Sequence, residues 1–247
     1  MNRSASGVQT PSPRRVAVIG AGVGGLSAAL DLLARGAEVT IFERSEQVGG
    51  KMRRERVGSV AVDAGPTVLT MLEVFEDLFA SLGRDLHAEV TVRPLDRLAR
   101  HAWTDGTEFD LYRDEERSAE EIAKVFGSAE AENYRRFSAH CRALLGRVKG
   151  PFLEAERPGL AGAWRARGMG AIADMMRVDW HRSMHRAITS MLKTPHLQQL
   201  FARYATYYGS SPYAAPATLN LIAEVEREGV WVVDGGMHEL ALAMARG

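Results

Sequence analysis

The sequence has 247 residues, of which 46% are hydrophobic, enough to bury a sizeable core as one large domain or two small ones. Its 31 basic and 31 acidic side chains balance, which argues against nucleic acid or another polyanion as a partner. Cys141 is the only cysteine, so an internal disulfide is excluded, and we expect a buried, inert thiol.

The chain begins with a polar segment, residues 1–13, in which Ser, Pro and Gly dominate without any apolar period. We expect a flexible tail there. The segment lacks the apolar centre of a secretory signal, and no later segment approaches a continuous apolar run of about 18 residues. The sequence therefore predicts a cytoplasmic protein that is either soluble or peripherally bound to the inner membrane.

A βαβ unit follows the tail. Residues 16–19 form a short apolar run that ends at glycines, as expected for a parallel strand covered on both faces. Apolar residues then recur at helical spacing over residues 28–36, and residues 39–42 form a second apolar strand. The whole unit has the length of roughly 30 residues that is typical of βαβ.

The turn between the first strand and the helix matches G-x-G-x-x-G. Gly20 permits the tight turn, Gly22 leaves room for a pyrophosphate, and Gly25 allows the helix to pack closely on the strand; Gly24 completes the turn. Glu43 ends the second strand at the distance that the fingerprint requires, where its carboxylate can accept both ribose hydroxyls. A purely structural glycine turn is the alternative, but the position between strand and helix favours dinucleotide binding.

A second glycine pair favours FAD over NAD. Arg44 is followed after four residues by Gly49 and Gly50, and then by Lys51 and Met52. This arrangement resembles the R-x-x-x-x-G-G extension of flavoproteins with two dinucleotide-binding domains. The glycines bring backbone N–H groups close to the phosphates or the ribityl chain, and basic residues can offset the cofactor's charge. A solvated basic loop is the alternative for the basic side chains.

Residues 63–69, DAGPTVL, contain a rigid Gly-Pro turn. In the flavoproteins that this chain resembles, the comparable segment passes beside the isoalloxazine ring, which implies cofactor contacts for Gly65, Pro66 and Thr67. The hydroxyl of Thr67 could donate a hydrogen bond to the ring edge. The alternative is a plain connection from a strand to the next helix.

Further elements are predicted from local signals. Capping boxes at residues 70–73 and 118–121 predict one helix to about residue 82 and a helical stretch to residue 148, broken at Gly127-Ser128.

Between the capping boxes, residues 90–92 are expected to be extended. An Asp105-Gly106 turn predicts a hairpin of residues 98–104 and 108–112.

The C-terminal part predicts two helices in residues 195–228, divided at residues 209–216, and then a strand at residues 230–233. A glycine turn and a further helix from residue 237 follow. The pattern stops within a strand–turn–helix unit, and the two or three parallel strands available are too few for a doubly wound sheet. We therefore expect the N-terminal part of a longer α/β protein.

The predicted fold is a Rossmann-like FAD-binding βαβ unit with an inserted small β region and a helical region for substrate or membrane. Residues 1–13 are the tail, and residues 14–115 begin the FAD-binding domain. Residues 116–229 form the helical substrate-binding region, and residues 230–247 return to the FAD-binding domain.

Three segments together resemble the phytoene desaturase family of carotenoid desaturases, in both order and spacing: residues 16–53, VDAGPTVLTM at residues 62–71 and WVVDGGMHELALAMA at residues 231–245. Two more, LARHAWTDGTEFDLY and the stretch of residues 200–231, resemble most the hydroxyneurosporene or methoxyneurosporene 3,4-desaturases of purple bacteria. Members of that family are about twice as long as this chain.

The resemblance implies an FAD-dependent desaturation of an acyclic carotenoid such as 1-hydroxyneurosporene. Two hydrogens leave adjacent carbons of the lipophilic polyene, one as hydride to flavin N5 and one as a proton. No Ser-His-Asp, Cys-His or paired-carboxylate constellation stands out, so no catalytic residue is assigned. Two alternatives are another oxidase of the same superfamily, such as an amine oxidase, and a non-catalytic FAD-binding remnant.

A methionine-rich region with interleaved arginines lies between residues 164 and 191. Core packing and a peripheral membrane patch for a lipid-soluble substrate both account for it. His181 and His185 have no third ligand, so we predict a surface pair and no metal site. The region contains Met169, Met175, Met176, Met184, Met191, Trp164, Trp180, Arg165, Arg167, Arg177, Arg182 and Arg186.

Overall fold

A computed structural model describes residues 14–155 and 177–247 of the chain. It divides them into two compact units: residues up to Pro94 together with Trp231–Gly247, and the described residues of Leu95–Val230. The predicted tail, residues 1–13, lies outside the described residues.

The first unit contains the predicted βαβ motif. Strands β1 (Arg15–Ile19) and β2 (Glu38–Phe42) pair in parallel. Helix α1 (Val23–Ala34) connects them and buries Leu26 and Leu30. The βαβ prediction from the apolar runs is confirmed.

Only one face of this two-stranded sheet is covered within the described part of the chain. Side chains alternate between the faces of a strand, and Val18 points toward α1, since a Cβ on Gly25 would lie 3.5 Å from its Cγ1. Ile19 and Phe42 lie on the other face, where they are 90% and 59% exposed. The expectation that both faces would be covered is therefore wrong for these residues.

Further elements belong to the first unit, and all of them except the first two, an antiparallel hairpin, share one hydrophobic core with α1. They are β3 (Arg54–Val57) paired antiparallel with β4 (Val60–Asp63), α2 (Leu72–Ala80), α3 (Leu86–Glu89), β5 (Val92–Pro94) and, after the second unit, β8 (Trp231–Val233) and α9 (Met237–Ala245). Strand β8 pairs antiparallel with β5. The C-terminal strand, turn and helix were predicted.

The predicted capping box at residues 70–73 does not mark the N-cap of the helix. Helix α2 begins at Leu72 after Met71, which has φ 52° and makes no side-chain cap. A pairing with a residue distant in sequence sets this start, because the N–H and C=O of Leu69 both form hydrogen bonds with Trp231 at 2.8 Å. The chain is still extended at Leu69 and turns into the helix only at Met71.

The second unit begins with the predicted hairpin and continues with helices. Its strands are β6 (Arg97–Ala102) and β7 (Glu108–Tyr112), which pair antiparallel. The described helices are α4 (Glu115–Phe126), α5 (Ser128–Val148), α6 (Met184–Met191), α7 (Pro195–Ala202) and α8 (Leu221–Glu228), with a π-helical turn (Lys149–Leu153) and two 3₁₀ segments (Arg203–Tyr208, Ala217–Asn220). The division of residues 195–228 into two helices is confirmed, whereas α6 was not predicted.

The hairpin belongs to the helical unit rather than to the first one. Phe109 and Leu111 of β7 lie in the same core cluster as Ile122 of α4 and Phe137 of α5. The predicted domain boundary at residue 115 therefore differs from the unit boundary, which follows Pro94. Hairpin signals are local, and they do not show on which core the hairpin packs.

Helix α4 also starts earlier than its predicted capping box. Asp114 is the N-cap and accepts the Arg117 N–H at 2.7 Å. Ser118 lies inside the helix, and its hydroxyl bonds the backbone N–H and C=O of Tyr112. The break at Gly127 is confirmed, with φ 94°.

The methionine-rich region is only partly described, since Trp164, Arg165, Arg167, Met169, Met175 and Met176 lie outside the described residues. Met184 is fully buried in the core of the second unit, whereas Trp180 is exposed. His185 lies in α6 and His181 precedes it, and the described residues contain no group of three metal-ligating side chains. Cys141 is buried, as expected. Among the described helices, none has the length and apolarity needed to span a bilayer.

Candidate dinucleotide site

The first glycine turn is tightly built. The N–H of Gly20 donates to the Phe42 carbonyl oxygen at 2.7 Å, and Gly20 has φ 97°, a conformation that favours glycine. A Cβ on Gly25 would overlap the Gly20 carbonyl oxygen. The close packing that the fingerprint requires at Gly25 is thus present in the fold.

The N-terminus of α1 is open to a ligand. Gly22 is the N-cap in an extended conformation, and no side chain caps the helix. The N–H groups of the first helical turn are therefore available to an anion, which the helix dipole also attracts. A Cβ on Gly24 would meet no atom within 4 Å, so the protein itself does not require glycine there.

Glu43 fastens the end of β2 to this turn. Its Oε2 accepts the Ala21 N–H at 2.7 Å and its Oε1 accepts the Ser45 N–H at 2.8 Å. The hydrogen bond from Ala21 has the largest effect, and together the two bonds lower the pKa of Glu43 below its ordinary value and keep the carboxylate ionised. Each carboxylate oxygen can accept a further hydrogen bond, so acceptance from ribose hydroxyls stays available.

The second glycine loop, residues 49–52, lies directly against the first turn. The Gly49 N–H donates to the Ala21 carbonyl oxygen at 2.7 Å, and Gly22 and Gly49 form an isolated parallel bridge. A Cβ on Gly50 would approach the Gly22 Cα to 3.0 Å. The structure therefore brings together two motifs that the sequence showed only separately.

A cleft of about 600 Å³ opens at the carboxyl ends of β1 and β2, which is where open α/β sheets bind ligands. Three basic side chains line it beside the Glu43 carboxylate, and they can complement a diphosphate. The lining residues are Ile19, Gly20, Phe42, Glu43, Arg44, Ser45, Gly50, Lys51 and Arg53.

The other predicted site residues do not line this cleft: Gly22, Gly24, Gly25 and Gly49 belong to the two turns beside it, and four more lie elsewhere. The side chain of Met52 is buried in the core and anchors the end of the second glycine loop. A Cβ on Gly65 would overlap the Lys51 carbonyl oxygen, so Gly65 packs directly against that loop. Pro66 and Thr67 are exposed. Their contact with the isoalloxazine ring stays a prediction.

Two residues that carry this arrangement were missed. Asp63 accepts the Met237 N–H at 3.0 Å, and His238 contacts the Met52 carbonyl oxygen at 2.8 Å. The residues of the site fit a dinucleotide with a negatively charged diphosphate. The first glycine turn and the uncapped N-terminus of α1 leave room for the diphosphate, the basic residues of the cleft complement its charge, and the ionised Glu43 carboxylate lies beside them.

Residues 23–247 match the family described as flavin containing amine oxidoreductase. The chain belongs to this family. The predicted cofactor class, a flavin, is that of the family, and the predicted incomplete flavoprotein fold agrees with it.

Among individual relatives of this chain, the hydroxyneurosporene desaturase of Rubrivivax gelatinosus is 45% identical over 240 residues, which are 94% of this chain and 46% of that protein. The 4,4'-diapolycopene oxygenase of a Methylomonas species is 33% identical over 235 residues, again 94% of this chain and 46% of the relative. The chain thus spans about half the length of these relatives. The resemblance to carotenoid desaturases is confirmed.

A solved structure of putrescine oxidase bound to putrescine shares the fold, with a TM-score of 0.61 at 14% identity. The match covers 95% of this chain and 49% of the oxidase. At this identity the similarity concerns the fold alone.

Proposed function

We propose that this chain supplies the cofactor-binding part of an FAD-dependent desaturase that acts on an acyclic carotenoid such as 1-hydroxyneurosporene. One observation carries the proposal: two glycine turns meet beside an anchored carboxylate. The 45% identity to the Rubrivivax gelatinosus desaturase supports the substrate class.

Different residues of the site bind different parts of the cofactor. The N–H groups that follow Gly22 bind the diphosphate, and the ionised carboxylate of Glu43 accepts the ribose hydroxyls. Arg44 and Lys51 line the cleft and offset the negative charge. When bound, the flavin would accept the hydride of a substrate C–H bond, and the protein would bind and orient the polyene and exclude water from the site.

A titration with FAD tests the cofactor part of the proposal. We expect the purified chain to bind FAD and show the paired absorption bands of bound flavin. Protein that stays colourless after FAD is added contradicts the proposal and supports the non-catalytic remnant.

Product mass tests the reaction. The chain, joined to the C-terminal half of the Rubrivivax gelatinosus relative, would be expressed in cells that accumulate 1-hydroxyneurosporene. Desaturation predicts a red-shifted pigment that has lost two hydrogens. A product that has gained oxygen would indicate the chemistry named for the Methylomonas relative, and an unchanged pigment would remove the assignment.

We also propose that the enzyme meets its lipid-soluble substrate at a membrane surface. The second unit exposes Trp180, Tyr208 and Tyr213, and aromatic side chains of this kind favour the membrane–water interface. Arg177, three residues before Trp180, is exposed and suits anionic lipid. Flotation with anionic liposomes at low salt tests the contact, and protein that stays at the bottom of the gradient contradicts it.

A further inference from the structure

Helix α9 lies directly behind the second glycine loop, residues 49–52. Its His238 is 7% exposed, and the ring Nδ1 is 2.8 Å from the Met52 carbonyl oxygen. A carbonyl oxygen can only accept a hydrogen bond, so Nδ1 carries the proton and donates it. The imidazole thereby ties the end of the loop to a helix that follows it by more than 180 residues in the sequence.

The packing between loop and helix leaves little space. A Cβ on Gly49 would lie 2.6 Å from the Met52 carbonyl oxygen, 3.1 Å from the Ala241 Cβ and 3.3 Å from the His238 Nδ1. Gly49 also has φ 106°, which only glycine adopts readily. The loop is therefore shaped by α9 on one side and by the Gly22 turn on the other.

The position of α9 is itself fixed by the first unit. Gly236 provides no capping side chain, and Asp63 at the end of β4 accepts the Met237 N–H instead. A Cβ on Gly236 would come within 2.7 Å of the Asp63 Oδ1, so the carboxylate occupies the place of an N-cap side chain. A negative charge at this end of a helix is favourable.

We propose that His238 is a positioning residue for the cofactor. Its Nδ1–H holds the second glycine loop against the Gly22 turn, and Asp63 holds α9 in the place from which His238 can do so. The inference rests on the proposed FAD binding, because the loop is the wall of the cleft that the basic residues and Gly50 line.

The test compares variants that differ in where they place a donor. His238→Asn keeps an N–H group near the position of Nδ1, whereas His238→Gln moves it toward the position of Nε2 and His238→Leu removes it. Met244→Ala is the control, since Met244 is buried six residues further along α9. Two readouts are needed: hydrogen exchange of the Gly49 and Met52 amides without cofactor, and the FAD dissociation constant.

We expect His238→Leu and His238→Gln to raise amide exchange in the loop and the FAD dissociation constant by about tenfold each, the size expected when a buried carbonyl loses its partner. His238→Asn should stay near wild type in both measurements. Met244→Ala should lower the melting temperature without changing either one.

The outcomes separate this inference from the proposed function. Loop exchange that is the same in His238→Gln and in Met244→Ala overturns the positioning role, whether or not FAD binds. If amide exchange of the loop rises in His238→Gln but the FAD dissociation constant is unchanged, His238 does not position the cofactor. Wild-type protein that binds no FAD, with a loop that still loosens in His238→Gln, refutes the proposed function and leaves the role of His238 in shaping the loop supported.

Discussion

The glycines of the first turn differ in what requires them: the packing of the fold requires Gly25, and room for the proposed diphosphate requires Gly22 and Gly24. Gly25 is required by the fold, because a Cβ there would overlap the Gly20 carbonyl oxygen. Gly22 and Gly24 have room around them, with the Gly50 Cα at 3.9 Å from a Cβ on Gly22 and no atom within 4 Å of one on Gly24. The sequence motif alone does not separate these roles, whereas the structure does.

Substitutions at two of these positions should therefore differ. Gly22→Val should fold, since Gly22 has φ −73° and ψ 172°, which valine adopts, but should abolish FAD retention by filling the space of the diphosphate. Gly25→Ala should lower the free energy of unfolding by about 1–3 kcal/mol through overpacking. Thermal melts without cofactor and FAD titrations distinguish the two, and full flavin stoichiometry in Gly22→Val would show that the turn is only structural.

At the scale of elements, the predictions held where the signal was local. The βαβ unit, the Asp105-Gly106 hairpin and the break at Gly127 each follow from adjacent residues. Neither predicted capping box supplies the N-cap of its helix. A distant pairing, Leu69 with Trp231, keeps the chain extended before α2, whereas α4 is capped by the nearby Asp114 while the Ser118 hydroxyl bonds Tyr112.

The candidate site shows the same division. Both glycine motifs were visible in the sequence, but their contact through Gly22 and Gly49 was not. The histidine behind them was missed because a single His238 within an apolar helix gives no local signal of its partner, the Met52 carbonyl oxygen.

The corrected helix starts can be tested by urea unfolding. Asp114→Ala removes the side chain that caps α4 and should lower the free energy of unfolding of the second unit by about 1 kcal/mol. Thr70→Ala should change the free energy of unfolding of the first unit, which contains it, by less than about 0.5 kcal/mol, because the N-cap of α2 is Met71. If Thr70→Ala lowers the free energy of unfolding more than Asp114→Ala does, the capping box predicted at Thr70 would be supported after all.

At the scale of the whole molecule, the sheet of β1 and β2 has one face that the described residues leave uncovered. Ile19 and Phe42 are exposed in the described chain and also line the cleft. The chain spans about half the length of its relatives. Exposed apolar side chains beside a ligand site are typical of a surface that another segment covers.

We therefore expect the C-terminal half of the Rubrivivax gelatinosus relative, added as a separate polypeptide, to lower the FAD dissociation constant of this chain. A cofactor in a cleft beside an uncovered sheet face stays in contact with water, which weakens the attraction between the diphosphate and Lys51, whereas covering the face strengthens it. Phe42→Ser should reduce the gain by more than tenfold, because it removes the largest apolar group on that face. Tyr208→Ser is the matched control, because Tyr208 is an exposed aromatic residue of the second unit. An equal gain in both variants would show that the added half does not use this sheet face.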